Sequence, residues 1–546
     1  MYAALAVALC LPAAAQETTP KEDHSFSVAK NLDVFNAIYR DLDLYYVDTL
    51  DANKVVRVGI DAMLSSLDPY TEYYADEDMG DLKMMTTGKY GGIGSVIRMR
   101  KDSTVIIAEP YANMPAAEVG LHTGDVLKEI DGTSLQGKSV SEVSDMLRGE
   151  PGTTFVLKAQ RPGEKKARTF KITRRVVKMP AITYQGIIAQ NVGYICLSQF
   201  TEDCSVDVRK AVISLKEKGA KALVLDLRGN GGGLLQEAVN IVNLFVPKGE
   251  TIVEMKGKVA AANRAYKTQS EPLDEQLPVC VLVSNNTASA AEILAGSLQD
   301  LDRAVVIGQR TFGKGLVQSP KELPFNGNLK LTTSKYYIPS GRCIQAIDYK
   351  HRRELGDDGR VPDSLTNVFH TRNGREVRDG SGIRPDVEVK HDTMANLVFY
   401  LTNDDVLTDW GTDYVRRHPS IPPIEQFSIT DQDVSDLLRM AKESGFKYDR
   451  LSEKNLESLE KVAKFEGYYD DAKAEFEALR AKLEHNLDRD FELHRTEIKE
   501  MMASEIATRY YYQAGALQEA LKHDEDLDQA IRLFNNPEEY NAIFRP

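Results

Sequence analysis

The chain has 546 residues, which corresponds to about three to four domains. Hydrophobic residues make up 42% and charged residues 27%, a globular balance that excludes disorder throughout, collagen-like repeats and a disulfide miniprotein. The formal net charge of -14 argues against non-specific binding to nucleic acid, whose phosphates attract basic surfaces.

From Ala3 to Ala15 the side chains are small or aliphatic, ending in Ala13-Ala14-Ala15 before the polar Gln16. That pattern predicts a secretory signal over residues 1–16 and an exported chain, in the periplasm or cell envelope. The stretch is too short to span a bilayer, and nothing later is long and apolar enough, so the exported chain is expected not to be transmembrane. Leu9 before Cys10 is too large for a lipobox. The other cysteines are 196, 204, 280 and 343, with no CxxC pair and no HExxH motif, so a metal site is not expected. One or two disulfides stay open; isolated buried thiols are the simpler expectation.

Residues 28–86 read as helical. Phe35, Ile38, Tyr39 and Leu42 have the spacing of one buried helix face, Val56, Ile60, Met63 and Leu64 repeat it, and Asp68-Pro69 stops the helix. Residues 88–178 become short β-like runs broken by glycines, with a helix over Val140 to Leu147 and a strand at Phe155-Val156-Leu157. Residues 179–395 alternate strands (Val192 to Leu197, Ala222 to Leu225, Val279 to Val283, Ala304 to Ile307) with helical stripes. This predicts a largely parallel sheet covered by helices. Within it, residues 346–381 are polar and glycine-rich, a loop insertion with an Asn373-Gly374 hairpin signal. Residues 396–546 read as a charged helical extension, in which Phe476, Leu479, Leu483 and Leu487 form a stripe expected to pack on neighbouring helices. No long heptad run is sustained, although a homo-oligomer is compatible with the sequence.

Three segments could carry chemistry. In Val279 to Glu292 a buried strand runs through a polar turn into a helix, which puts Ser289 at the helix N-terminus, where free N–H groups favour a developing anion. Ser289-x-x-Glu292 also spells a capping box. In Val305 to Gln318, Lys314 stands between two glycines. The run resembles a Walker A loop, but Gly315 occupies the position that needs Ser or Thr. Lys314 and Gln318 share a face in either a helix or a strand. A serine needs a base, and a lysine serves only if burial lowers its pKa; no histidine lies in either segment. The third segment, Asp226-Leu227-Arg228-Gly229-Asn230-Gly231-Gly232-Gly233, is a glycine-rich turn that could offer N–H groups to an oxyanion or a phosphate.

In this order, the three segments resemble the C-terminal processing peptidases, also called tail-specific proteases, with Lys314 placed 25 positions after Ser289. The resemblance implies an α/β fold: a ClpP/crotonase-like core with an inserted PDZ domain, an N-terminal helical segment and a C-terminal helical extension. It implies Ser289 as nucleophile, Lys314 as general base, Gln318 positioning Lys314, and an oxyanion hole from the amides of Gly232 (or Gly233) and Ala290. No cofactor is implied. Asp300, in a matching context, would lie roughly 16 Å along the helix from Ser289 and is expected to be structural, pairing with Arg303. The PDZ domain's Gly91-Gly92-Ile93-Gly94 loop would hold a peptide's terminal carboxylate, the peptide adding as a strand beside Ser95-Val96-Ile97. The implied function is a serine endopeptidase that cleaves proteins near their C-terminal tails. A non-catalytic PDZ scaffold and a P-loop nucleotide hydrolase are the alternatives.

Overall fold

A computed structural model describes residues 24–76, 84, 87–189, 191–351, 359–391, 393–484 and 486–546. The predicted signal over residues 1–16, with Cys10, lies outside the described residues, as does the 352–358 stretch of the predicted insertion. The chain divides into two compact units, Met1–Tyr73 and Tyr74–Pro546.

The first unit holds the helices His24–Tyr45 and Ala52–Ser65, the second capped by the Asp51 carboxylate, which accepts from the Lys54 N–H. The predicted helices form, but the expected burial does not. Phe35 and Ile38 are 52% and 55% exposed, and Leu64 is the buried residue of the pair. Among the described residues of this unit the two helices have no further layer to cover a second apolar face.

In the second unit, residues 88–178 form an antiparallel sheet of strands Ser95–Met99, Val105–Pro110, Val126–Ile130, Thr154–Gln160 and Arg168–Thr173, neighbouring in that order. Val105, Ile107, Leu127, Leu157 and Ile172 fill its core beneath the helix Val140–Leu147, which a Ser139–Glu142 capping box starts. Ser95–Met99 pairs on one side only and so presents a sheet edge. Lys89–Gly92 pairs antiparallel with Arg175–Lys178, so the module's two ends leave it side by side.

The core sheet runs Ile182–Ile188, Val192–Leu197, Ala222–Asp226, Val279–Val283, Val305–Gly308, Val387–Glu388. The first pair is antiparallel and the rest are parallel. Its central strands Val279–Val283 and Val305–Gly308 read as unbroken apolar runs because both faces are covered. Val279, Val281 and Val283 pack with the helices Cys204–Glu217, Leu235–Val242 and Ala290–Asp300. Cys280 and Leu282 point the other way, onto Leu527, Ala530, Leu533 and Tyr540 from the last two helices, Glu525–Asn535 and Pro537–Ala542. The end of the chain therefore closes the second face of the core.

A further antiparallel group contains Thr251–Gly257, Arg264–Lys267, Leu316–Glu322 and Asn328–Tyr337, which the strand–helix reading did not include. The predicted loop insertion carries a hairpin, Val368–His370 with Glu376–Arg378, around the Asn373-Gly374 turn. Of the predicted C-terminal stripe, Phe476 and Leu479 lie on the helix Lys473–Lys482, which ends at Leu483. Leu487 opens the next helix, whose cap Asn486 accepts from the Arg489 N–H. The stripe is broken by that cap, and Leu479 is 45% exposed. The helical region has its own core around Trp410, Leu437, Ile498, Met502 and Ile506. It grips the edge of the 95–110 hairpin: Arg98 and Arg100 pair with Asp405, Arg100 makes a bidentate contact with Asp409 at 2.8 and 2.9 Å, and Lys101 reaches Asp404.

Candidate active site

The strand Val279–Val283 leads through a turn into the helix Ala290–Asp300, all of whose residues are buried. Ser289 sits at its mouth with φ 58° and ψ -118°, outside the extended backbone usual for a helix cap. Both groups of the expected capping box are in place. The Ser289 N–H donates to Glu292 at 2.9 Å, while the Ser289 hydroxyl makes no cap hydrogen bond to the helix.

Glu292 organises the surroundings. Its Oε2 accepts from the amides of Ser289 (2.9 Å) and Lys314 (2.8 Å). Its Oε1 accepts from the Gly313 amide (2.8 Å) and the Thr311 hydroxyl. One carboxylate oxygen thus holds the backbone of both predicted dyad members within two hydrogen-bond lengths of each other. On another side, the buried Tyr336 hydroxyl donates to the carbonyls of Ser289 (3.2 Å) and Lys314. Burial pushes the Glu292 carboxyl up to about 7, against four donors that pull it down. Ser289 and Lys314 are themselves partly buried.

The glycines beside Lys314 have a direct reason. A Cβ on Gly313 would come within 2.3 Å of Ala346 Cβ, and one on Gly315 within 2.7 Å of the Gln345 amide nitrogen. The chain at 345–346 lies flat over the lysine loop, with the Gly315 N–H on Gln345 Oε1. Lys314 precedes the strand Leu316–Glu322, and a bulge between Val317 and Gln318 intervenes. The Gln318 carboxamide donates to Thr332 at 3.1 Å.

The glycine-rich turn packs directly on the Ser289 turn. The Asn230 carbonyl accepts from the Ala288 N–H, and a Cβ on Gly232 would stand 2.8 Å from Ser289 Cβ and 3.0 Å from the Ala290 nitrogen. Only a glycine at φ 102° fits there. The Gly232 N–H donates to Asn230 Oδ1 at 2.8 Å. The amides of Gly233 and Ala290 have no acceptor among the described residues.

Two expectations are corrected. The P-loop alternative fails because a strand, not a helix, follows Lys314, and the amides a phosphate would need are taken. Those of Thr311 and Phe312 donate to the carbonyls of Ile383 and Thr287, and those of Gly313 and Lys314 to Glu292. Asp300 pairs with the buried Arg342 at 2.7 Å rather than with Arg303, which instead donates to the carbonyls of Phe245, Asp274 and Leu277. Arg303 stands just past the helix end, where those carbonyls gather. Of the cysteines, 196, 204, 280 and 343 are all free. Sequence reasoning also missed Tyr336 and the wider role of Glu292. The capping-box spacing was the one available signal for Glu292.

In the PDZ module the Gly91 and Gly92 residues belong to the strand Lys89–Gly92, paired with Val176 and Arg175. The carbonyls of Ile93 and Gly94 accept from the amides of Ala116 and Tyr111, while their own N–H groups have no acceptor among the described residues.

Comparison with known proteins agrees with this architecture. Residues 191–351 match peptidase family S41, residues 106–161 a PDZ domain, and residues 397–534 the C-terminal helical domain described for probable PDZ-proteases. A carboxy-terminal-processing protease of Bartonella bacilliformis is 36% identical over 334 residues, covering 60% of this chain and 75% of the relative. A probable CtpA-like serine protease of Staphylococcus aureus is 34% identical over 324 residues, covering 59% of this chain and 64% of the relative. Among solved structures, a photosystem II D1 C-terminal processing protease matches with TM-score 0.37 at 27% identity, over 65% of this chain and 92% of the other. An S41 core, an inserted PDZ domain and a relative matched over three-quarters of its length together establish that the chain belongs to the carboxy-terminal-processing proteases, a family of serine-type peptidases.

Proposed function

We propose that this protease works in the cell envelope, captures the C-terminal tails of proteins with its PDZ module and cleaves them with a Ser289–Lys314 dyad. The observation that carries the dyad is the shared anchorage of its two backbones, both amides on one Glu292 oxygen and both carbonyls on the Tyr336 hydroxyl. The neutral Lys314 amine takes the Ser289 Oγ proton as that oxygen attacks a peptide carbonyl. The resulting tetrahedral oxyanion lies at the helix mouth, where the Ala290 N–H has no acceptor among the described residues. A second amide comes from Gly232, once its N–H leaves Asn230, or from Gly233. Lys314 then returns the proton to the leaving amine. Water hydrolyses the acyl-enzyme, and Gln318 on the adjoining strand orients the lysine.

Tail capture is supported by the Ile93 and Gly94 amides, which have no acceptor among the described residues, next to the edge strand Ser95–Met99, which has no second strand partner among them. These suit a terminal carboxylate and an added strand. Export is supported by the apolar stretch that ends at Ala15. The test of the dyad uses the purified protein and an unstructured substrate with a free C-terminal tail. Ser289→Ala and Lys314→Ala each abolish cleavage while the thermal melt stays within a few degrees of the parent's. Full activity in either folded variant refutes the dyad.

A further inference from the structure

The oxyanion turn is anchored from outside the peptidase core. Arg228 stands two residues beyond the strand Ala222–Asp226, at the start of the glycine turn. Its guanidinium meets three carboxylates. Asp226, two residues back, accepts from Nε and Nη2 and also from the Tyr194 hydroxyl. The other two come from the far end of the chain. Asp524 accepts from Nη1 at 2.9 Å and Nη2 at 2.5 Å, a bidentate pair, and Asp526 accepts from Nη1 at 3.0 Å. Asp524 and Asp526 are 8% and 2% exposed, and His391 Nε2 stands 3.1 Å from the second oxygen of Asp526.

Asp226, held by Tyr194 and by its place in the sheet, ties the arginine to the core, and the two carboxylates from the far end of the chain tie it to the C-terminal helices as well. The turn beyond Arg228 is built largely of glycines, and Gly229, Gly232 and Gly233 all have positive φ. Such a backbone holds its shape only through contacts made to it. Later in the turn these are the Asn230 contacts to Leu197 and Ala288 and the Phe200 contacts to Gly232 and Leu234. At its start the backbone is held by Leu282 and Thr287 at Leu227 and by the Ser284 hydroxyl at the Gly229 N–H, and the Arg228 side chain is held from outside the peptidase core by Asp524 and Asp526. Asp524 is itself the cap of the helix Glu525–Asn535, its carboxylate accepting from the Leu527 N–H, and that helix packs on the sheet through Leu527, Ala530 and Leu533. The clamp is therefore as rigid as the core it rests on.

We propose that Asp524 and Asp526 are positioning residues for peptide hydrolysis: they hold Arg228, and through it the oxyanion turn, so that the C-terminal helical domain completes the active site. The inference rests on the Ser289 reading above. A bidentate carboxylate pair sets direction as well as distance, so its loss lets the turn shift against Ser289. A shift of that kind lowers the chemical step and leaves tail capture, some distance away on the PDZ edge, untouched.

The experiment compares the full chain with the Asp524→Asn/Asp526→Asn double variant. It measures kcat and KM on an unstructured tailed substrate, the affinity for a peptide copy of that tail, and the melting curve. The expected result is a kcat at least tenfold lower, with KM and peptide affinity within twofold and a cooperative melt. Asp524→Glu, which keeps a carboxylate, retains most of the kcat. A kcat within twofold of the parent in the folded double variant overturns the proposal, as does a loss carried by KM alone. If the double variant does not fold, the single Asp526→Asn, which leaves the Asp524 pair intact, is judged by a threefold or greater fall in kcat at constant KM; no fall overturns the proposal. Ser289→Ala is run alongside. If it cleaves like the parent, the dyad reading is what has failed.

Discussion

Glu292 shows how one residue can carry two meanings. From the sequence it caps a helix; in the fold it accepts from Ser289, Lys314, Gly313 and Thr311 at once. Replacing it with Gln turns one acceptor oxygen into a donor facing two other donors, and each buried donor left unsatisfied costs about 1–3 kcal/mol. We expect Glu292→Gln to lower kcat/KM at least tenfold in a tailed-substrate assay, with the protein still folded. The carboxyl also leaves a mark on stability. Its folded pKa of about 7 lies above its ordinary 4.5, so between those values the folded chain holds a proton that the unfolded chain has lost. Stability contributed by this group is fully present below the lower value and declines as pH rises through the upper one. Urea midpoints measured from about pH 5 to 8 should therefore fall less steeply in Glu292→Gln than in the parent. An equal slope in both would show that the group does not titrate there. Tyr336 acts on the same pair from the carbonyl side. Tyr336→Phe should lower kcat with little change in KM, because it removes a tether and leaves the ring in place.

At the scale of elements, the helix Ala290–Asp300 is buried along its whole length and carries the Ser289 turn at one end and Asp300 at the other. An acid at a helix C-terminus opposes the helix dipole and is buried here, so it needs a partner. Arg342 supplies it and also donates to Gln299 Oε1, tying the helix end to the chain just before the predicted insertion. Arg342→Met should destabilise by about 3–5 kcal/mol in urea denaturation, because it strands a buried carboxylate, and the added change Asp300→Asn should recover part of that loss. The sequence did not reveal this pair because Arg342 lies 42 positions away, whereas Arg303 is the nearest basic residue. The strands and helices of the core were legible because their apolar runs and stripes are long and end in turn residues. The strands Leu316–Glu322 and Asn328–Tyr337 were not, since polar and charged residues crowd both and leave no apolar run or stripe.

Across the whole molecule, the C-terminal helical region touches both other parts of the Tyr74–Pro546 unit: it grips the PDZ module through Asp404, Asp405 and Asp409 and the peptidase core through Asp524 and Asp526. Arg100 is central to the first grip and largely buried. Arg100→Glu should loosen the PDZ module, seen as faster hydrogen exchange over residues 95–110. Adding Asp409→Arg should restore protection, the sign of a direct charge pair rather than a folding defect. Unchanged exchange in Arg100→Glu would show the contact to be idle. Local sequence was sufficient for the family, for most of the core elements and for singling out Ser289, Lys314 and the glycine turn as the candidates that the fold then brings side by side, because strand–turn–helix patterns and glycine requirements are written within a few residues of one another. The tertiary structure alone decided which carboxylate joins the Ser289 and Lys314 backbones, which arginine answers Asp300, and that the last helices close the core sheet and clamp Arg228. Those are pairings between residues up to almost three hundred positions apart, and hydrophobic spacing, which reports only what a segment buries, does not say against what.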